Sequence, residues 1–342
     1  MVLGMTSPPD PVPDTTVHSI VDAAATTLTW DYEQDQIAGL RTLYQKAKHA
    51  QWDADVDLPW ATEVDLEKNA HLARLQWSGL EREVTGTPLE RFSERDFIRL
   101  SIESDNWMLS QFLHGEQGAL ACAAKIVATV PWIDAKYFAA SQAMDEARHV
   151  EAFARYLREK HQGLYPINVH LRALLDDIIS DRRWDVTYLG MQVMVEGMAL
   201  AAFGFLHTAT PDPLLRELLR NVMADEARHV AFGVLSLREH YRELTLSEIT
   251  ERQEFAYECV IRIRDRLLQQ EVWERMGLDL RDVLPFVVRD PVRQRFQYVL
   301  FSKIVPNCKK LGLLDAGDGW LRRRFTEMGV IAFEDAVEPS SG

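Results

Sequence analysis

The sequence predicts an all-α protein, a four-helix core elaborated by helices at both ends. Three observations carry that prediction. Apolar residues recur with helical spacing, and no stretch alternates with period two. The helical stretches have clear start and stop signals, such as Ser93 and Asp96 at capping-box spacing and Pro131 after the run they open. Finally, Asp145-Glu146-Ala147-Arg148-His149-Val150 returns as Asp225-Glu226-Ala227-Arg228-His229-Val230, each copy inside such a stretch.

Taken in order, residues 1–16 are Pro-rich and read as a disordered leader. They hold no basic region followed by an apolar run, so no signal peptide is expected. Val17 to Ala50 reads as one or two helices with a polar face. Trp52 and Trp60, among Asp53, Asp55 and Asp57, read as an irregular segment laid against a helical body. Asp65 to Leu80 has mixed periodicity and leads to the turn signal Thr85-Gly86-Thr87-Pro88. A long helix then runs from Ser93 to about Val130, and a second from about Ile133 to Glu159 carries the first repeat and leaves through Gly163-Leu164-Tyr165-Pro166. A shorter helix spans Val169 to Ile179. The third long helix, Trp184 to about His207, stops at Thr208-Ala209-Thr210-Pro211, and the fourth, Pro213 to Tyr241, carries the second repeat. Ser247 to Met276 reads as one amphipathic helix and Arg281 to Leu314 as two shorter ones. One domain is expected over 17–330, with its core at 93–241 and a flexible tail at 331–342.

Composition narrows the function. The 342 residues, 47% hydrophobic, suffice for a large core. A net charge of −14 argues against nonspecific nucleic-acid binding, which needs a basic surface. Cys122, Cys259 and Cys308 are odd in number and lack a C-x-x-C, so neither a disulfide framework nor a zinc site is signalled and a reducing cytoplasm fits. The most apolar runs, Gly118 to Trp132 and Met191 to Phe205, are interrupted by Lys125 and Glu196 and are expected to be buried bundle helices rather than membrane spans.

Each repeat carries Glu-x-x-His, and residues three apart on a helix are neighbours on one face. The repeat reaches further back: Glu116 lies 30 residues before Glu146, and Glu196 lies 30 residues before Glu226. Both sit in apolar surroundings, where a lone carboxylate is costly unless a cation or proton neutralises it. One Glu-x-x-His in a chain with 52 acidic residues and 10 histidines is expected by chance; two matched copies, each with an apolar-helix glutamate at equal offset, are not. Glu116, Glu146, His149, Glu196, Glu226 and His229 thus form a candidate ligand set for two metal ions. Four carboxylates balance two divalent cations, and two imidazoles complete a hard N/O site suited to iron or manganese.

With these residues the chain resembles the ferritin-like dinuclear-iron oxidases and oxygenases: ribonucleotide reductase small subunits, R2-like oxidases, multicomponent monooxygenase hydroxylases and acyl-carrier desaturases. The resemblance covers about Ser93 to Tyr241 and, more weakly, the Trp52 segment. It implies a ferritin-like fold, two irons (or manganese with iron), O2 as co-substrate, an external electron donor such as a reductase or ferredoxin, and a homodimer. Phe153 stands where radical-bearing small subunits place a tyrosine, so no tyrosyl radical forms there. Met191 aligns with the crosslinking tyrosine of R2-like ligand-binding oxidases, Val222 with the extra histidine of arylamine N-oxygenases, and Leu200 with a hydroxyl-bearing residue of the multicomponent hydroxylases.

Around the ligands, Asp145 and Asp225 are candidates to accept the free ring N–H of a metal-bound histidine, with Arg148 and Arg228 as their partners. The resemblance places Trp52 near Asp225 on an electron path. One turn from the buried glutamates lie Phe112, Leu113, Ala119 and Leu120 on the first helix and Gln192, Val193, Ala199, Leu200 and Phe203 on the third. With Phe153 they suggest an apolar substrate pocket, Ala119 and Ala199 leaving space and Gln192 offering a polar handle. The expected function is an O2-activating di-iron oxidase or monooxygenase that hydroxylates or desaturates a small or lipid-like organic molecule. Arylamine N-oxygenation, and ferroxidase or scaffold roles without an organic substrate, are the alternatives.

Overall fold

The computed structural model describes residues 26–30, 32, 37, 39–76, 84–161 and 163–336. The expected leader and the last six residues of the tail lie outside them. The described residues are all-α, as expected: α1 (Leu40–His49), α2 (Leu66–Gln76), α3 (Glu94–Thr129), α4 (Ile133–Tyr156), α5 (Val169–Ser180), α6 (Trp184–Tyr188), α7 (Glu196–Ala209), α8 (Pro213–Tyr241), α9 (Leu246–Arg266), α10 (Gln270–Arg275), α11 (Leu280–Val287), α12 (Pro291–Lys310) and α13 (Trp320–Glu327).

The four helices of the core are α3, α4, the α6–α7 unit and α8. The first two pack along each other, α7 lies along α8, and α4 meets α8 across the bundle. α1 lies over α4 and α8, α12 covers α7, and α5 with α9 closes the remaining side. Local chemistry sets the helix starts. Ser93 accepts from Asp96 N while Asp96 accepts from Ser93 N at 2.9 Å, a complete capping box, and Asp212 accepts from Leu214 N at 2.8 Å ahead of Pro213. Gly118 is required where α5 crosses α3, because a Cβ there would lie 2.6 Å from Leu175.

Several boundaries differ from the sequence reading. Within Val17 to Ala50 only Leu40–His49 is helical among the described residues; Thr27 and Thr29 instead tie to the end of α3, through Thr27 N to Ala128 O at 2.8 Å and Thr29 Oγ1 to Pro131 O at 2.7 Å. The mixed segment after Asp65 does form a helix, α2. The single helix expected over Ser247 to Met276 is two, α9 and α10, broken where Gln269 takes a left-handed φ of 52°. The break lets one segment serve two cores: Ile263 and Leu267 enter the main cluster, while Val272 and Trp273 pack with Trp107, Tyr165, Val283 and Val287. α13 had no sequence signal. Residues 331–336 of the expected flexible tail are described and ordered by local contacts: Ile331–Phe333 form a short 3-10 turn, and Lys309 pairs with Asp335 at 2.7 Å.

Two of the four ligand-bearing stretches contain widened turns. α4 continues into a π-helical turn at Leu157–His161, and α6 is joined to α7 by another at Leu189–Val195. Trp184–Ala209 is long and apolar enough to cross a membrane, but 78% of its apolar window is buried within the protein, and the bundle core accounts for its composition.

Candidate metal centre

Helix periodicity brings the six predicted ligands into one buried cluster. Glu116 comes from α3, Glu146 and His149 from α4, Glu196 from the first residue of α7, and Glu226 and His229 from α8; all are at most 5% exposed. They fall into two overlapping groups, Glu116, Glu146, His149 and Glu226, and Glu146, Glu196 and His229, with ligand atoms within 4.8 Å of one another in each. His149 Nδ1 lies 3.2 Å from Glu116, 3.3 Å from Glu146 and 3.4 Å from Glu226. His229 Nδ1 lies 3.1 Å from Glu146 and 3.6 Å from Glu226. Glu146 thus faces both imidazoles, as does Glu226, so either carboxylate could serve both groups if metal ions were bound.

The donor set fits two metal ions. Glu146 Oε2, Glu196 Oε2, both carboxylate oxygens of Glu226 and His229 Nδ1 are buried without a hydrogen-bond partner, and all belong to the two groups. Orphaned polar atoms inside a core cost free energy that metal coordination recovers. Burial is the largest influence on the ionisation of Glu116, Glu146, His149, Glu196 and His229. It raises Glu116 and Glu196 well above the usual carboxylate range, and the Glu226 carboxylate adds to the effect. Burial opposes ionisation of Glu146 too, but the His229 and His149 imidazoles outweigh it and hold that carboxyl low. It also opposes charge on the imidazoles, yet the carboxylates around them hold both well above their ordinary value. Protons therefore balance the cluster without metal, and divalent cations would displace them.

Behind the ligands the two halves are crossed. Asp225, beside Glu226 on α8, accepts from His149 Nε2 at 3.0 Å, whereas Asp145, beside Glu146 on α4, lies 3.3 Å from His229 Nε2. Each aspartate therefore orients the imidazole of the other helix and directs its Nδ1 inward. Arg148, 6% exposed, joins the halves by donating to Asp145 at 2.6 Å and to Asp225 at 3.1 Å. Arg228 donates to Asp225, and Trp52 Nε1 donates to the same carboxylate at 2.8 Å with its ring stacked against His149. His149 leads the influences that keep Asp225 low against its burial.

Two glutamines escaped the sequence reading. Gln142, fully buried, donates through one Nε2 to Glu146 at 3.1 Å and Glu196 at 2.9 Å. Its position one turn before Glu146 was the available signal; its counterpart in the second repeat is Val222, so the halves are unequal here. Gln51 donates to Asp145 at 2.9 Å and accepts from Arg148 at 2.7 Å. It lies far from both repeats in sequence, and nothing in its local pattern marked it.

Of the residues expected to line a pocket, Phe112, Phe153 and Phe203 come together as an aromatic cluster, with ring centroids 4.7 Å apart for Phe112–Phe203, 5.9 Å for Phe153–Phe203 and 6.1 Å for Phe112–Phe153. Ala119 is buried on α3, while Ala199 and Leu200 are partly buried on α7. Gln192 lies in the π-helical turn, packed on Gly233, where a Cβ would come within 2.6 Å of it. Both of its amide atoms are buried without a partner. The wider turn means that an α-helical count back from Glu196 does not fix where Gln192 points.

Compared with known proteins, the chain matches no protein-family model and no curated protein. Solved structures do match it. An R2-like ligand-binding oxidase with an aerobically reconstituted metal cofactor after photoconversion is 14% identical with a TM-score of 0.52, over 82% of this chain and 94% of that one. The same oxidase with a Mn/Fe cofactor gives 14% and 0.52 over 81% and 93%, and a variant with an Fe/Fe cofactor gives 15% and 0.51 over 82% and 94%. The likeness establishes a ferritin-like helix bundle, with the buried carboxylate and histidine cluster at its centre.

Proposed function

We propose that this chain is an O2-dependent dinuclear-metal oxidoreductase that hydroxylates or desaturates a small apolar or lipid-like organic substrate. The observation that carries the proposal is the set of six buried residues, arranged in two overlapping ligand groups whose inward atoms lack hydrogen-bond partners. An iron pair, or manganese with iron, suits the donors, and the Mn/Fe and Fe/Fe cofactors of the similar structures agree with it. When bound, such a pair supplies the electrons that activate O2. The protein does the rest: Asp145 and Asp225 hold each imidazole with Nδ1 inward, Gln142 orients Glu146 and Glu196, and the Phe112, Phe153 and Phe203 cluster excludes water and offers an apolar face. The partners we assign are an external electron donor and a second copy of the chain. Gln192, with both amide atoms unpartnered, supports a second reading in which the substrate brings a polar nitrogen group, as N-oxygenation requires.

The test is metal analysis followed by rapid mixing of the anaerobic ferrous protein with O2, with and without candidate substrates. We expect about two irons per chain and a transient absorbance that an apolar substrate discharges faster, an effect Ala199→Phe abolishes. Oxidation indifferent to every substrate would favour a ferroxidase, and failure to hold a metal pair would overturn the reading.

A further inference from the structure

Arg266 breaks the apolar stripe along which α9 enters the core. The buried face of that helix runs through Ala256, Cys259, Val260 and Ile263 to Arg266 and Leu267, so helical spacing calls for an apolar side chain where the guanidinium stands. Three arginines are buried among the described residues, and two of them sit against carboxylates. Arg148 donates to Asp145 and Asp225, and Arg252 donates to Asp185 at 2.9 and 3.1 Å. Arg266, 7% exposed, has no hydrogen-bond or ion-pair partner among the described residues.

The groups nearest to it in the chain are already engaged. Arg264 holds Asp265 at 2.8 Å, and Arg293 of α12 donates to Leu267 O at 3.1 Å and to Arg264 O at 3.4 Å. Leu268 N and Gln269 N, each at 3.2 Å, donate to the carbonyls of Asp265 and Arg266. The end of α9 therefore satisfies its carbonyls without the Arg266 side chain. Burial pushes the pKa of that guanidinium down to about 10, with no carboxylate near enough to offset it, and at neutral pH it stays charged. Its Nε is fully enclosed, whereas the two terminal nitrogens are not, so the forked end faces accessible space. An unpaired buried charge is costly, and a counter-ion recovers that cost.

We propose that Arg266 anchors a carboxylate-binding site, filled by a monoanionic organic acid. One buried cation balances one negative charge, which sets aside the dianions of phosphate esters. The planar fork of a guanidinium matches the two oxygens of a carboxylate, a match that a spherical halide lacks. Ile263 and Leu267, its neighbours on the buried face, belong to the main apolar cluster, so the carbon portion of the acid meets apolar side chains. The site lies on α9 and uses no residue of the metal cluster, so it stands or falls apart from the dinuclear reading.

Binding is read by calorimetry and thermal melting on the metal-free full chain, where no metal can capture the acid. The probes are sodium acetate and sodium hexanoate, each compared with sodium chloride at equal ionic strength. Both acids should raise the melting temperature of the parent above the chloride value. Arg266→Met should weaken acid binding by about tenfold or more. Methionine follows the path of the arginine stem, and losing an unpaired buried charge does not weaken the fold. Arg266→Lys keeps the charge but not the fork; it should lose affinity by a smaller factor, and it carries the test if the methionine variant does not fold. Tighter binding of hexanoate than of acetate would show that the site takes the acid end of a longer apolar molecule, and equal affinities would show a free small acid. Either result supports a carboxylate site. Chloride that stabilises the parent as well as the acids do would mean an adventitious ion only, and overturns the proposal. So does acid binding that neither variant weakens, or no acid binding by the parent.

Discussion

Asp225→Asn probes the point where most of the supporting contacts of the metal centre meet. The Asp225 carboxylate receives His149 Nε2 at 3.0 Å, Trp52 Nε1 at 2.8 Å, Arg148 at 3.1 Å and Arg228. Asparagine keeps the shape but replaces one acceptor oxygen by a donor. Turned toward His149, the new NH2 favours the tautomer protonated on Nδ1, which cannot ligate through that atom. Turned the other way, it meets the Arg228 guanidinium, donor against donor. Either orientation weakens the metal position at His149. Loss of a contact that orients a ligating histidine typically lowers affinity by about 10 to 100-fold, or roughly 1.4–2.8 kcal/mol. The fold should lose less than when a buried cation is left unpaired, because Arg148 retains Asp145 at 2.6 Å; we expect about 2 kcal/mol. Competition with a calibrated chelator measures the affinity, and thermal melting of the metal-free chain measures the fold. The crossed arrangement adds a sharper requirement: Asp225→Asn should weaken the position at His149, and Asp145→Asn the one at His229. Affinity within about twofold of the parent for both variants would refute the reasoning.

Gln142→Leu should remove the donor shared by Glu146 and Glu196 and lower affinity for the second metal bound by about tenfold, leaving the first step and the helicity intact in a two-step chelator titration. His161, buried and bonded to Asn106 at 2.8 Å, has its pKa pulled down to about 4 by burial. The unfolded chain takes up that proton first, so stability should fall by about 3 kcal/mol as the pH drops from the unfolded value near 6.5 to about 4. Melting temperatures of the parent and His161→Gln across that range should converge at low pH; parallel curves would count against it.

The sequence by itself determined the helical architecture and the ligands, because both are written in local spacing. An amphipathic period fixes which face of α3 or α8 turns inward, and Glu-x-x-His places a carboxylate and an imidazole one turn apart whatever surrounds them. The start of α3 at Ser93 and the whole span of α8 were legible for the same reason: their caps are contacts between residues two or three apart. Tertiary structure alone decided what depends on distant partners. That Asp225 serves His149 and Asp145 serves His229 follows from the crossing of α4 and α8, since either aspartate would reach its own histidine equally well on paper. The break at Gln269 follows from two cores competing for one segment, and the π-helical turn at Leu189–Val195 from packing that displaces Gln192 from an α-helical count. Gln51 reaches Asp145 and Arg148 from outside the bundle, 94 and 97 positions away. Local periodicity encodes the face a residue presents, and only the assembled bundle determines which other face meets it.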